Sequence, residues 1–93
     1  MGTPNGTVLL VEEDPSLRRT LNYALSDLKF DIGLAGTAAA ALTRLRMVDY
    51  ELVLLDINMR DNDGIETCRR IRRSFTRLPI FILTAREGLD DPR

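Results

Sequence analysis

The chain has 93 residues, 44% hydrophobic and 29% charged, with a formal net charge of −1. That length allows one domain with a single modest core, and that charge excludes a general affinity for nucleic acid or acidic membranes. With no histidine and one cysteine, Cys68, zinc-type ligand sets, histidine-based catalysis and an internal disulfide are excluded as well.

Met1-Gly2-Thr3-Pro4-Asn5-Gly6 is a polar lead without the basic and apolar parts of a signal peptide. No apolar run is long enough to cross a membrane, so the expectation is a soluble, cytoplasmic protein. Thr7 to Val11 is an unalternated apolar run, which predicts a strand buried on both faces of a parallel sheet. It ends in acid, at Glu12, Glu13 and Asp14. Asp14-Pro15 is a helix start, with Asp as the cap and Pro at the first helical position. Leu17, Leu21, Leu25 and Leu28 then recur at helical spacing, with Arg18, Arg19 and Asn22 on the other side, predicting an amphipathic helix packed on the sheet.

Phe30 to Ala35 is a weaker strand, whose alternation of Phe30, Ile32 and Leu34 with Asp31 and Gly33 suggests an edge position. Thr37 caps a second helix with an alanine run, Ala38 to Ala41, and an apolar stripe of Leu42, Leu45 and Val48. The organising stretch follows. Leu52-Val53-Leu54-Leu55 runs straight into Asp56, and Ile57 to Gly64 reads as loop. Open parallel sheets place ligands at the carboxyl ends of their strands, so Asp56 is the leading reactive group. A third helix begins near Asp63 or Gly64, with Asp63 and Glu66 spaced as a capping box. Its inward phase is Ile65, Cys68, Ile71 and Phe75, which makes Cys68 a small buried hydrophobe, and Arg69, Arg70, Arg72 and Arg73 mostly face solvent, read as a solvated face ahead of a docking patch. Pro79 to Thr84 is a fourth strand, and Ala85 to Arg93 is polar. Regular alternation of strand and helix implies an α/β domain with a parallel sheet and right-handed crossovers.

If the first and third strands are neighbours, Glu12, Glu13 and Asp56 converge at one rim. Carboxylates brought together either share a proton or bind a cation. Hard oxygen ligands without histidine or cysteine favour magnesium, which would neutralise a phosphoryl group arriving beside Asp56. Thr84 could donate its hydroxyl to a phosphoryl oxygen, and backbone N–H groups after Asp56 could do the same. The product would be an aspartyl phosphate.

Val8-Leu9-Leu10-Val11-Glu12-Glu13-Asp14, Leu52-Val53-Leu54-Leu55-Asp56, Asp63-Gly64 and Ile80-Phe81-Ile82-Leu83-Thr84-Ala85 together resemble the receiver domain of two-component response regulators. The resemblance implies a flavodoxin-like doubly wound parallel sheet in strand order 2-1-3-4. It implies a cytoplasmic signalling module of a phosphorelay that is a phospho-acceptor, not an enzyme. Asp56 would accept the phosphoryl group from a sensor histidine kinase or phosphotransfer protein. Glu12, Glu13 and Asp56, with the backbone carbonyl of Asn58, would hold magnesium. Thr84 would be the switch hydroxyl, and Ala85 the small residue that leaves room for the phosphoryl group.

Three departures from the family accompany the match. Glu13 stands where Asp is usual, and Arg60 stands where a proline is common. The sequence also stops at Arg93, short of the family's fifth strand, final helix and phosphoryl-pairing lysine, so residues 1–93 read as a single receiver domain incomplete at its C-terminal end. The exposed fourth strand and uncovered sheet face then imply a homodimer or a place within a longer protein. Two competing readings stand beside this one. A pseudo-receiver would bind partners without phosphorylation. A haloacid-dehalogenase-like phosphohydrolase would want a second Asp where Asn58 stands, which disfavours it.

Overall fold

The computed structural model describes residues 6–57 and 64–83. Its elements are β1 (Gly6–Val11), α1 (Pro15–Asp27), β2 (Phe30–Ala35), α2 (Ala38–Met47), β3 (Leu52–Asp56), α3 (Gly64–Ser74) and β4 (Ile80–Leu83). The strands form one sheet in the order β2-β1-β3-β4, and each neighbouring pair is parallel. The parallel sheet is the one expected from the alternation of elements, β2 lies at an edge as its residue pattern suggests, and the strand order is the one the family resemblance implies.

Local chemistry sets the helix ends. The Asp14 side chain accepts from the Ser16 N–H at 3.1 Å, with Pro15 opening α1. Thr37 Oγ1 accepts from the Ala40 N–H at 3.1 Å at the start of α2. Both satisfy donors that a helix start leaves unpaired. At the end of α1 the Lys29 N–H donates to the Ser26 carbonyl at 2.9 Å. Lys29 takes φ 71° there, the left-handed conformation in which a helix usually ends on glycine. The expected Asp63 capping box lies outside the described residues.

The main core lies on one side of the sheet. Leu9, Val11, Val53 and Leu55 pack there against Ala41, Leu42 and Leu45 of α2 and Ile71 of α3. On the other side Val8 and Leu10 are buried, yet Leu52 and Leu54 are half-buried and α1 has no buried residue at all. The expectation of strands buried on both faces therefore holds at the centre of β1 but fails along β3, where burial alternates. Period-two alternation places Leu52 and Leu54 on the α1 side, and α1 covers that side only partly.

Three inward assignments are corrected. Leu28 and Val48 form the C-terminal caps of α1 and α2 and are exposed. Ile65 is 49% exposed; the buried positions of α3 are Gly64, Thr67 and Ile71. Gly64 fixes this rotation, because a Cβ there would overlap the Ile57 backbone. The first turn of α3 rests directly on the chain leaving β3. Cys68 is half-buried and packs against the core.

Arg72 is not part of a solvated face. It is half-buried, and its Nη1 donates to the carbonyls of Phe75 at 3.2 Å, Thr76 at 3.1 Å and Leu78 at 2.6 Å. It thus closes the turn from α3 into β4, while Arg69, Arg70 and Arg73 are exposed as expected. On β4, Phe81 is 60% exposed and Ile82 40%.

Candidate functional site

Parallel registration decides which residues meet at the sheet rim. Val11 lies beside Leu55 on one flank and beside Ala35 on the other. One residue further along, Glu12 and Asp56 leave adjacent strands side by side. Backbone bonds pin both exits: the Glu12 N–H donates to the Ala35 carbonyl at 2.9 Å, and the Ile57 N–H to the Leu83 carbonyl at 3.2 Å. Both acids are buried, Glu12 at 2% and Asp56 at 3% exposure.

The electrostatics of this pair are unusual. Glu12 Oε2 accepts from the Asp14 N–H at 3.0 Å, whereas Glu12 Oε1 is buried and meets no donor. The Glu12 carboxyl is also within hydrogen-bonding reach of Asp56. Two carboxylates offer only acceptors, so their contact is attractive only when a proton or a cation lies between them. Burial pushes the Glu12 carboxyl from its ordinary 4.5 up to about 7, helped by the Asp56 contact and opposed by the Asp14 N–H. Near neutral pH the site therefore sits between a shared proton and a demand for positive charge.

Of the residues expected at the site, Glu12 and Asp56 are brought together. Glu13 is half-buried, but no cluster of three acidic, cysteine or histidine side chains suited to a metal occurs among the described residues. Asn58, Thr84 and Ala85 lie outside the described residues.

The donor set fits magnesium. That ion takes hard oxygen ligands and is typically held by one or two carboxylates, keeping several waters. An orphaned carboxylate oxygen beside a second buried acid supplies such a seat. The open groove of about 630 Å³ between α3 and β4 is lined by Ile57, Ile65, Cys68, Ile82 and arginines, and neither acid faces it. It is separate from the acid pair.

One residue at this rim escaped the sequence reading. Arg18, assigned only to the polar side of α1, turns back over the acidic turn. Its Nη1 donates to the Glu12 carbonyl at 2.8 Å and to the Glu13 carbonyl at 3.4 Å. Helical side chains lean toward the N-terminus, which is the only sequence-level hint of this reach.

Comparison with known proteins agrees with this geometry. The response regulator receiver domain family matches residues 8–93. The transcriptional regulatory protein PmrA of Pectobacterium parmentieri is 38% identical over 84 residues, covering 90% of this chain and 38% of PmrA. The DNA-binding response regulator MtrA of Mycolicibacterium smegmatis is 37% identical over 91 residues, covering 98% of this chain and 40% of MtrA. The chain thus spans about two fifths of the length of these relatives. Among solved structures, the response regulator TrrA of Thermotoga maritima, in complex with Mg2+ and BeF, superposes with a TM-score of 0.80 at 29% identity. That superposition covers 91% of this chain and 74% of TrrA.

Proposed function

This chain belongs to the response regulator receiver domain family of two-component systems, and on that premise we propose that Asp56 is its phospho-acceptor, working beside a magnesium seat formed with Glu12. The observation that carries the proposal is the buried Glu12–Asp56 contact with its donorless Oε1. A carboxylate oxygen of Asp56 attacks phosphorus in the phosphohistidine of a sensor kinase or phosphotransfer protein. The new O–P bond makes an acyl phosphate as the N–P bond breaks, and the imidazole nitrogen keeps the electron pair. Magnesium, when bound, offsets the negative charge of the incoming phosphoryl group. For that, Glu12 gives up any proton it shares with Asp56, so metal binding and deprotonation are one event.

Family resemblance assigns Thr84 as the switch hydroxyl and Ala85 as the small neighbour, with Glu13 and the Asn58 carbonyl completing the metal set. The module is an acceptor that is consumed once per phosphorylation and turns over no external substrate. It acts in the cytoplasm. No helix among the described residues is long and apolar enough to cross a membrane.

Incubation with acetyl phosphate and Mg2+, read by intact mass, tests the acceptor assignment. Wild type should gain one phosphoryl group that is lost on alkaline treatment, and Asp56→Asn should gain none. Equal labelling of both proteins, or no labelling of wild type, would leave a phosphorylation-independent interaction module as the better reading. The exposure of Phe81 and Ile82 on β4 favours pairing of two copies through that strand. Light scattering over a concentration series should show a dimer that Phe81→Ser weakens; a monomer at every concentration would refute the pairing.

A further inference from the structure

We infer that Arg18 is a positioning residue for the magnesium seat, clamping the backbone of Glu12 and Glu13 so that their side chains are presented to the cation. This deepens the acceptor reading above and rests on it. The clamp consists of the two bonds from Arg18 Nη1 to the Glu12 and Glu13 carbonyls, at 2.8 and 3.4 Å. Those carbonyls belong to the turn between β1 and α1, beyond the last residues of the β1 ladder. The Glu12 N–H is fixed to Ala35. With Arg18 on its carbonyl, the Glu12 peptide is held from both sides.

Two further features show that this path is built into the fold. The guanidinium passes over Gly36, where a Cβ would come within 2.9 Å of Arg18 Nη1. A side chain at the exit of β2 would displace the clamp, so a residue 18 positions away in sequence keeps its channel open. Moreover, Arg18 belongs to the start of α1, where the helix dipole disfavours positive charge. The carbonyls it meets offset that disadvantage.

Charge and position make opposite predictions, which gives the test its sign. A cation beside a magnesium seat weakens metal binding by repulsion, so removing the charge alone should tighten it. Removing a clamp should loosen it, as happens when outer-shell partners of metal ligands are lost. Arg18→Lys keeps the charge, but its chain is one atom shorter than the path to Arg18 Nη1, so its ammonium falls short of the two carbonyls that this one nitrogen bridges. Arg18→Gln removes the charge and shortens the reach.

Mg2+ affinity of wild type, Arg18→Lys, Arg18→Gln and Asp56→Asn is measured by titration calorimetry, with far-UV circular dichroism restricting the comparison to folded proteins. Acetyl phosphate labelling is followed in parallel. Both Arg18 variants should bind Mg2+ about tenfold more weakly than wild type, and labelling should recover at high Mg2+. Tighter binding in Arg18→Gln with unchanged binding in Arg18→Lys would show that only the charge matters and would overturn the inference. Unchanged binding in both variants would overturn it too, with the acceptor reading intact. If wild type neither binds Mg2+ nor takes up a phosphoryl group, the acceptor reading fails and the inference with it. Should the substitutions unfold the chain, Gly36→Ala, which obstructs the clamp without touching Arg18, must weaken Mg2+ binding in the same way or the inference fails.

Discussion

Stability in the absence of metal should fall as pH rises toward neutrality, and Glu12 should be the cause. Its carboxyl is pushed from the ordinary 4.5 to about 7, first by burial and then by the hydrogen-bonded Asp56. The folded state therefore holds a proton that the unfolded chain releases earlier. A raised folded-state value contributes stability that is fully present below about 4.5 and lost as pH climbs through about 7. At 1.36 kcal/mol per unit, linkage gives a loss on the order of 2–3 kcal/mol between about pH 5 and pH 8. That is a large share of the roughly 5–15 kcal/mol that holds a small domain together. The background is clean, because the chain contains no histidine to titrate in the same window. It also contains no tryptophan, so urea unfolding is best followed by far-UV circular dichroism, in chelator and in Mg2+. In chelator, wild type should lose stability across the window and Glu12→Gln should not. Mg2+ binds the deprotonated pair, so it should restore wild type at pH 8 and do little at pH 5. A flat wild-type profile, or a slope that survives in Glu12→Gln, would refute the reasoning.

Lys29 holds a left-handed conformation at the end of α1. Lys29→Gly should therefore raise unfolding free energy by about 1 kcal/mol, read from the urea midpoint. Gly64→Ala places a methyl group against the Ile57 backbone. It should cost about 1–3 kcal/mol and slow acetyl phosphate labelling, because Ile57 follows Asp56 directly. Arg72→Met breaks the three-carbonyl lock after α3 and should cost about 2 kcal/mol, whereas Arg73→Met on the exposed face should change stability by less than about 0.5 kcal/mol. Equal effects of the two arginine substitutions would contradict the lock.

The parallel sheet and the two strand-end acids are legible in one-dimensional patterns, whereas the strand order that sets Glu12 beside Asp56 follows only from the family resemblance. Apolar runs that end in Glu12 and Asp56 mark strand exits, and strand–helix alternation makes those strands parallel. Asp14-Pro15 and Thr37 announced their helix starts by local hydrogen-bonding chemistry. The rotation of α3 was misread because its buried face uses Gly64 and Thr67, which carry no apolar mark. What turns that face inward is the backbone contact at Ile57, visible only in three dimensions. Arg18 and Arg72 were assigned to solvent for a related reason. Their partners are carbonyl oxygens, which every residue possesses and no sequence pattern reveals.

Helix α1 buries none of its residues, yet it carries the arginine that grips the acidic turn. Its amide protons should exchange with solvent before those of β1 and β3, which lie in the main core. When α1 frays, Arg18 lets go and the turn loses its shape while the strands stay paired. A cation seated on Glu12 and Asp56 then selects the docked helix by mass action, so magnesium should slow exchange along α1 although it touches no atom of that helix.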